Sequence, residues 1–136
     1  MHNEEYTFDL LRGVAAYTGN ALISALARTE SKHPDAVLDN AFNHKQIACK
    51  MWARDQLIEH LGPTLENIWI MGGWYGVLAA VLFDEPRLNI GSICNIDIDE
   101  SVEPVALTLN ETMVREGRFR NDHLYHERLG DGVSVG

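Results

Sequence analysis

The chain has 136 residues, of which 46% are hydrophobic, and this length and composition fit one globular domain with a hydrophobic core. A formal charge of −9 and a pI near 5.0 give a surface that repels phosphate backbones, so nucleic acid is an unlikely partner. No segment reaches the roughly 20 apolar residues of a membrane span, and no basic region precedes an apolar one at the N-terminus. These observations predict a cytoplasmic protein that has no membrane partner.

Helical patterns dominate the first 62 residues. From Thr7 to Arg28, apolar residues recur at helical spacing, with Thr7 as a candidate N-cap, and two glycines in the middle can divide this region into two helices. "TESKHP" predicts a polar connector, after which Pro34 can open a second helical region. We expect that region to break near Asn43 and to end at Gly62.

The pattern changes after Pro63, where short apolar runs alternate with helical segments. The predicted elements are a strand over Ile68–Met71, a helix over Tyr75–Phe83, a strand over Ile90–Ile96 and a helix over Ser101–Glu116. Strand, helix, strand, helix with short connections is typical of parallel α/β units. The predicted fold class is therefore α/β: a partial Rossmann-like parallel sheet of two to three strands in residues 63–136. The N-terminal helical region, residues 1–62, packs on this sheet within one compact domain.

The glycine-rich segment "MGGWYG", at residues 71–76, lies where the first predicted strand turns into a helix. Glycines there permit positive φ and close backbone approach, and a helix N-terminus offers free N–H groups to a polar or anionic ligand. Asp97 follows Gly76 by 21 residues and ends the next strand, where a carboxylate can bind both ribose hydroxyls. A glycine turn alone can serve packing, and an aspartate alone can cap a helix. Their combination favours a nucleoside cofactor.

Two segments carry a family resemblance. "IWIMGGWYG" and "ICNIDIDESVEPVALTLN" resemble the first two motifs of class I S-adenosylmethionine-dependent methyltransferases. In this resemblance Gly72 and Gly76 match the first and third glycines of the Gly-x-Gly-x-Gly loop, and Asp97 matches the ribose-binding acid. Two positions depart from the pattern, because Trp74 stands at the second glycine and Ile70 at a position that is usually acidic. Trp74 either lies against the ligand or packs into the sheet, and packing is the favoured interpretation.

The resemblance implies S-adenosylmethionine as the cofactor. The cofactor-binding residues it implies, together with their neighbours, are Gly72, Gly73, Trp74, Tyr75, Gly76, Asp97, Ile98 and Asp122. Asp122 is the available equivalent of an acid that the family's third motif places near the adenine. A dinucleotide is the alternative, but Trp74 and Tyr75 would crowd its pyrophosphate, whereas aromatic rings suit a sulfonium cation.

No catalytic residue can be named from the sequence. His123, His126 and Glu127 are too loosely spaced to predict a metal site, and a solvated tail explains them better. Cys49 and Cys94 are expected to be buried, reduced thiols.

One helical segment, "HKQIACKMW", bears on the glycine turn. Its Gln46 and Lys50 share a helix face, and Trp52 can reach the turn if this helix packs over the strand ends. The favoured interpretation is a surface lysine and a core tryptophan.

The resemblance also shows what the sequence lacks. Methyltransferases of this class continue through several more strands, whereas only 19 residues follow Gly117, so the chain resembles the cofactor half of such an enzyme. "GGWYG" is also similar to small methyltransferase-like proteins of tailed phages. One hypothesis is a methyltransferase-like enzyme whose acceptor pocket is completed by the N-terminal helices or by a neighbouring subunit. The alternative is a non-catalytic cofactor-binding remnant or an oligomeric structural protein. In both, an unpaired strand edge at residues 67–71 predicts a homo-oligomer.

Overall fold

The computed structural model describes residues 20–115 and 124–129. Its helices are α1 (Asn20–Lys32), α2 (Asp39–Phe42), α3 (His44–Leu61), α4 (Val77–Asp84) and α5 (Glu103–Arg115), and a 3₁₀ turn spans Glu100–Val102. Its strands are β1 (Thr64–Met71), β2 (Asn89–Asp97) and β3 (Leu124–Leu129). The predicted helix upstream of residue 20 lies outside the described residues.

The polar connector is shorter than predicted, because α1 continues through Thr29 to Lys32. Thr29 is buried, and its hydroxyl donates to the Ala25 carbonyl over 2.8 Å, so this residue is accommodated inside the helix. Pro34 does not open the next helix. The Ala36 N–H instead donates to the His33 carbonyl over 3.0 Å in a turn, and helical structure resumes at Asp39.

The predicted break at Asn43 is confirmed. Asn43 has an extended backbone and caps α3, because its side-chain oxygen accepts from the Gln46 N–H over 2.9 Å. The same helix ends at Gly62, which has φ +81° and donates its N–H to the Ile58 carbonyl over 3.0 Å.

The sheet is parallel, with the order β1-β2-β3. β1 begins at Thr64, four residues before the predicted start, because Thr64 and Leu65 already pair with Asn89 and Ile90 on β2. Within the described part of the chain β1 pairs only with β2 and is therefore an edge strand. The chain thus has a mixed α/β architecture with a parallel sheet and helices around it.

Helix α4 lies at the centre of the molecule and is buried along most of its length, which explains its uniformly apolar sequence "VLAAVLF". Its neighbours are α1, α3, α5 and β2. The N-terminal helices α1 and α3 pack mainly against α5 and α4 respectively, and α3 also lines cavities together with β1. The largest buried side chains of this core include Leu22, Leu26, Phe42, Ile47, Leu82, Phe83, Ile90, Ile93, Leu109 and Met113.

The alternation of buried and exposed side chains is interrupted at the same point in β1 and β2. The core side chains are first Leu65 and Ile90 and then Ile68 and Ile93, so burial does not alternate through the intervening residues. At this point Gly91 approaches the neighbouring strand, and a Cβ on it would lie 2.4 Å from the Glu66 carbonyl oxygen. The shift leaves large side chains of β1 outside the core, with Trp69 55% and Met71 53% exposed.

A charged network fastens α3 to the connection between α4 and β2. The Arg54 guanidinium lies 3.4 Å from the buried Glu85 carboxylate, and Arg87 bonds both Glu85 and Asp55, the latter over 3.0 Å. The hydrogen bond from Arg54 is the main cause of the lowered pKa of Asp55. None of the helices among residues 20–115 has the length and apolar character needed to cross a membrane.

Candidate functional site

The glycine turn and Asp97 meet at the carboxyl edge of the sheet. Met71 pairs with Ile96, so the residues that follow, Gly72 and Asp97, leave adjacent parallel strands side by side. The Gly72 and Gly73 N–H groups both donate to the Ile96 carbonyl, over 2.7 and 3.1 Å. The turn is thereby fastened to the end of β2 before it enters α4.

Both oxygens of the Asp97 carboxylate accept backbone hydrogen bonds. Oδ2 accepts from the Trp74 N–H over 2.8 Å, and Oδ1 accepts from the Asp99 N–H over 2.9 Å. Asp97 therefore holds the turn in place and also shapes the start of the next connection. An ionised carboxylate has about four acceptor positions, so two remain for a ligand that donates hydroxyl groups.

The backbone of the turn is left-handed at three positions, with φ of +69° at Gly72, +51° at Trp74 and +76° at Gly76. Trp74 stands where the Gly-x-Gly-x-Gly loop has its second glycine. It has the left-handed backbone that normally favours glycine. An ordinary residue pays roughly 1 to 2 kcal/mol for that conformation. The hydrogen bond to Asp97 is one interaction that offsets this strain.

Gly73 is required for a different reason. A Cβ at this position would lie 1.6 Å from Oδ1 of Asn95, whose side chain is fully buried. The amide of Asn95 packs directly against the turn, and its nitrogen lies 3.5 Å from the Trp74 carbonyl. By contrast, a Cβ on Gly72 would meet no atom within 4 Å. Gly73 is therefore needed for close packing against Asn95, whereas Gly72 leaves open space beside the turn.

Asn110 is a site residue that sequence reasoning missed. Its side chain is fully buried in α5, and Nδ2 donates to the carbonyls of Gly76 and Ala106, over 3.1 Å each. The bond to Gly76 ties the start of α4 to α5. The available signal was an asparagine in the interior of that helix, a position where asparagine needs a specific partner.

A cavity of about 350 Å³ lies between α3 and the glycine turn. Its walls include Gln46, Lys50, Trp52, Gly72 and Trp74. Trp52 is 65% exposed, so the prediction of a core tryptophan is wrong, and α3 does bring this side chain to the turn. Trp74 is 39% exposed and lines the same cavity, so the expectation that it packs into the sheet is also wrong. The thiols differ from expectation too, because Cys49 is exposed and Cys94 is half-buried.

A second cavity, of about 540 Å³, lies on the other side of the turn. Tyr75 lines it together with His33, Ser101 and Pro104. The Trp74 and Tyr75 rings stack with centroids 5.0 Å apart, so each aromatic of the turn faces a different cavity. Burial, followed by the nearby Asp99 carboxylate, raises the pKa of the Tyr75 hydroxyl.

His33 joins the loop after α1 to α5. Its Nε2 lies 2.7 Å from Oγ1 of Thr108, and the same hydroxyl lies 3.0 Å from the Pro104 carbonyl oxygen. Because the hydroxyl has one proton, the Nε2-protonated tautomer of His33 is the donor to Thr108 when that proton goes to Pro104. Partial burial, and secondly the charge of Lys32, lower the pKa of His33.

The remaining predicted residues fall around the edge of the site. Ile98 follows Asp97 and is 71% exposed. Asp99 accepts from the N–H and the hydroxyl of Ser101 over 3.0 and 2.7 Å, and these bonds lower its pKa. Asp122 lies outside the described residues. Among residues 20–115 and 124–129, no three His, Cys, Asp or Glu side chains are grouped as metal ligands.

Comparison of the chain with protein-family models, with curated proteins and with solved structures gives no significant match. Any functional inference therefore depends on the residues and geometry described above.

Proposed function

We propose that the protein binds S-adenosylmethionine at the carboxyl ends of β1 and β2, as a Rossmann-like, methyltransferase-like protein. The observation that carries this proposal is the Asp97 carboxylate, held 2.8 Å from the Trp74 N–H inside a left-handed glycine turn on the neighbouring parallel strand. Ligands of open α/β sheets bind outside the carboxyl ends of the strands. The free acceptor positions of Asp97 suit the two ribose hydroxyls.

The aromatic side chains around the turn support this cofactor over a dinucleotide. Trp52 and Trp74 line the cavity beside Gly72, and their faces attract a sulfonium cation. The bulk of Trp74 and Tyr75 lies where a pyrophosphate would need close backbone approach. The proposed reaction is methyl transfer: the S–CH₃ bond breaks, its electrons remain on sulfur as a thioether, and a nucleophilic acceptor gains the methyl group.

A non-catalytic cofactor-binding protein is the second candidate. It is favoured by the composition of the cavity next to the turn, whose described lining contains neither an imidazole nor a carboxylate to take a proton from an acceptor. Incubation with radiolabelled S-adenosylmethionine and a panel of nucleophilic acceptors separates the two, because only an enzyme transfers the label.

Binding itself is tested by thermal unfolding with S-adenosylmethionine, S-adenosylhomocysteine and NAD. A ligand of the folded state present at 100 times its dissociation constant stabilises by about 2.7 kcal/mol. We expect the two sulfur nucleosides to raise the unfolding temperature and NAD to leave it unchanged. A shift with NAD alone would indicate a dinucleotide site, and no shift with any of the three would refute the proposal.

We also propose that the protein forms a homo-oligomer through β1. In the described part of the chain this strand has no partner on its outer edge, and a groove beside it is lined by Leu57, Leu61 and Trp69. Antiparallel pairing of β1 with its copy across a two-fold axis would satisfy the edge and cover these apolar side chains. The cytosol is the proposed compartment, where the free thiols of Cys49 and Cys94 stay reduced.

Sedimentation at micromolar concentration tests this assembly. We expect a species heavier than the 15.3 kDa monomer. Added salt should strengthen the association of the chains, because it screens the repulsion between copies that each carry a net charge of −9. Trp69→Lys should give the monomer without loss of helical circular dichroism. A wild-type protein that sediments as a monomer at every salt concentration would refute the proposal.

A further inference from the structure

We infer that Lys50 binds the carboxylate of an amino-acid tail, which lies in the cavity between α3 and the glycine turn. This inference rests on the proposed function, and it assigns one end of the ligand to a particular side chain. Lys50 is the only charged residue among the described residues that line this cavity. A site whose single charge is positive favours an anionic group.

The ammonium group of Lys50 is available to a ligand. Nζ donates one hydrogen bond, to Oε1 of Gln46 over 3.3 Å, and has two further protons. Among residues 20–115 and 124–129 no ion pair involves Lys50, although the chain has 20 acidic residues and 11 basic ones. Gln46 orients the lysine and lines the same cavity.

The geometry of the turn connects Lys50 to the nucleoside end of the site. Trp74 donates its N–H to Asp97 and also lines the cavity that contains Lys50, so one residue borders both ends. Between them lies Gly72, whose missing side chain leaves open space. A ligand whose hydroxyl groups face Asp97 can therefore extend along the Gly72 backbone toward Lys50. The volume of about 350 Å³ accommodates a short tail.

A phosphate group would satisfy the same lysine, so the test must separate the two anions and must isolate the tail from the nucleoside. Two nucleosides do this. S-adenosylhomocysteine has the amino-acid tail, and 5′-methylthioadenosine has a methyl group on sulfur in its place. The variants are Lys50→Met, which removes the charge, and Lys50→Arg, which keeps it. Lys45→Met removes an exposed lysine of the same helix that does not line the cavity.

Calorimetric titration of each variant gives the result. We expect Lys50→Met to lower the affinity for S-adenosylhomocysteine about tenfold, which corresponds to one lost hydrogen bond to a charged group. Its affinity for 5′-methylthioadenosine should stay within about twofold of the wild-type value. Lys50→Arg should restore most of the affinity for S-adenosylhomocysteine, and Lys45→Met should bind both nucleosides like wild type.

Two outcomes would overturn the inference while the proposed function stands. An unchanged affinity of Lys50→Met for S-adenosylhomocysteine would place the tail elsewhere. An equal loss of affinity of Lys50→Met for both nucleosides would show that the substitution damages the site as a whole and that Lys50 does not act on the tail. Tighter binding of NAD than of 5′-methylthioadenosine by wild type, lost in Lys50→Met, would overturn both the inference and the proposed function, because it would assign the lysine to a phosphate and the site to a dinucleotide. If wild-type protein binds neither nucleoside, the proposed function fails, and the inference fails with it.

Discussion

The backbone N–H of Trp74 lies 2.8 Å from Oδ2 of Asp97, a residue 23 positions away at the end of the adjacent strand. This bond joins a strained residue to the acid that is proposed to bind the ribose. Because one carboxylate serves both the turn and the ligand, substitutions at the site alter stability and binding together. Matched controls are needed to separate the two effects.

Asp97→Asn should reduce both the stability of the turn and the affinity for the cofactor. Asparagine has one acceptor oxygen, so its amino group must face either the Trp74 or the Asp99 N–H. At this half-buried position we expect a loss of about 1 kcal/mol in the free energy of unfolding, and a loss of nucleoside affinity greater than about tenfold. Urea unfolding and calorimetry measure the two quantities.

Asp99→Asn is the control for the change in charge. Both bonds from Ser101 end on the same oxygen of Asp99, so an asparagine can keep them. We expect nearly unchanged stability and binding. Equal effects of Asp97→Asn and Asp99→Asn would mean that Asp97 acts only through its charge.

Gly72→Ala should reduce cofactor binding without a large effect on the fold. The new methyl group would enter the open space beside Gly72, and the positive φ of this residue adds strain of about 1 kcal/mol. Gly62→Ala provides a comparison away from the site, since Gly62 also has a positive φ with open space around it but lies at the end of α3. Gly62 combines φ +81° with ψ −178°, a conformation almost restricted to glycine, so we expect Gly62→Ala to lose more stability and only Gly72→Ala to lose affinity. Similar affinities in both would show that the ligand does not pass Gly72.

Trp74→Gly should be more stable than Trp74→Ala by about 1 kcal/mol. Both variants lose the stack on Tyr75, but glycine adopts the left-handed backbone at no steric cost, whereas alanine does not. In an ordinary position the order is reversed. Chemical denaturation of the two variants decides the question, and a more stable alanine variant would show that the turn is not left-handed in solution.

Gly73→Ala should destabilise the protein, and Asn95→Ala should partly rescue it. The three atoms nearest to a Cβ at residue 73 are side-chain atoms of Asn95, which the second substitution removes. Gly91→Ala should be destabilising as well, but there the overlap is with the Glu66 carbonyl, which no side-chain substitution can remove. The double-mutant cycle measures a favourable coupling for the first pair. Additive losses would contradict the observed contact.

Stability should fall as the pH drops below about 6.5, partly because of His33. Burial lowers the pKa of this histidine in the folded protein, so the unfolded chain binds the proton more strongly. The contribution of His33 is therefore complete above the ordinary histidine value of 6.5 and decreases as the pH falls through the folded pKa. His33→Gln can still donate to Thr108 and should show a smaller difference in urea midpoint between pH 7.5 and pH 5.5. An unchanged difference would assign the pH dependence to other groups.

The local patterns of the sequence determined much of the fold. The helix break at Asn43, the helix end at Gly62 and the glycine turn at Gly72 appear where local chemistry predicted them, and the apolar runs predicted as strands lie inside the longer β1 and β2. Asp97 could likewise be predicted at the end of β2, because a parallel α/β pattern brings the carboxyl ends of neighbouring strands together. Each of these features depends on residues close in sequence or on one regular period.

Only the tertiary structure decided which residues surround the turn. Asn110 reaches Gly76 across 34 positions, and the cavity beside Gly72 forms where α3, which carries Arg54 in an ion pair with Glu85, packs beside the turn. Trp52 and Trp74 line that cavity and stay exposed instead of packing in the core. Hydrophobic pattern and propensity report how much of a residue is buried on average. They do not report which distant side chain lies beside it, since that depends on how whole elements pack.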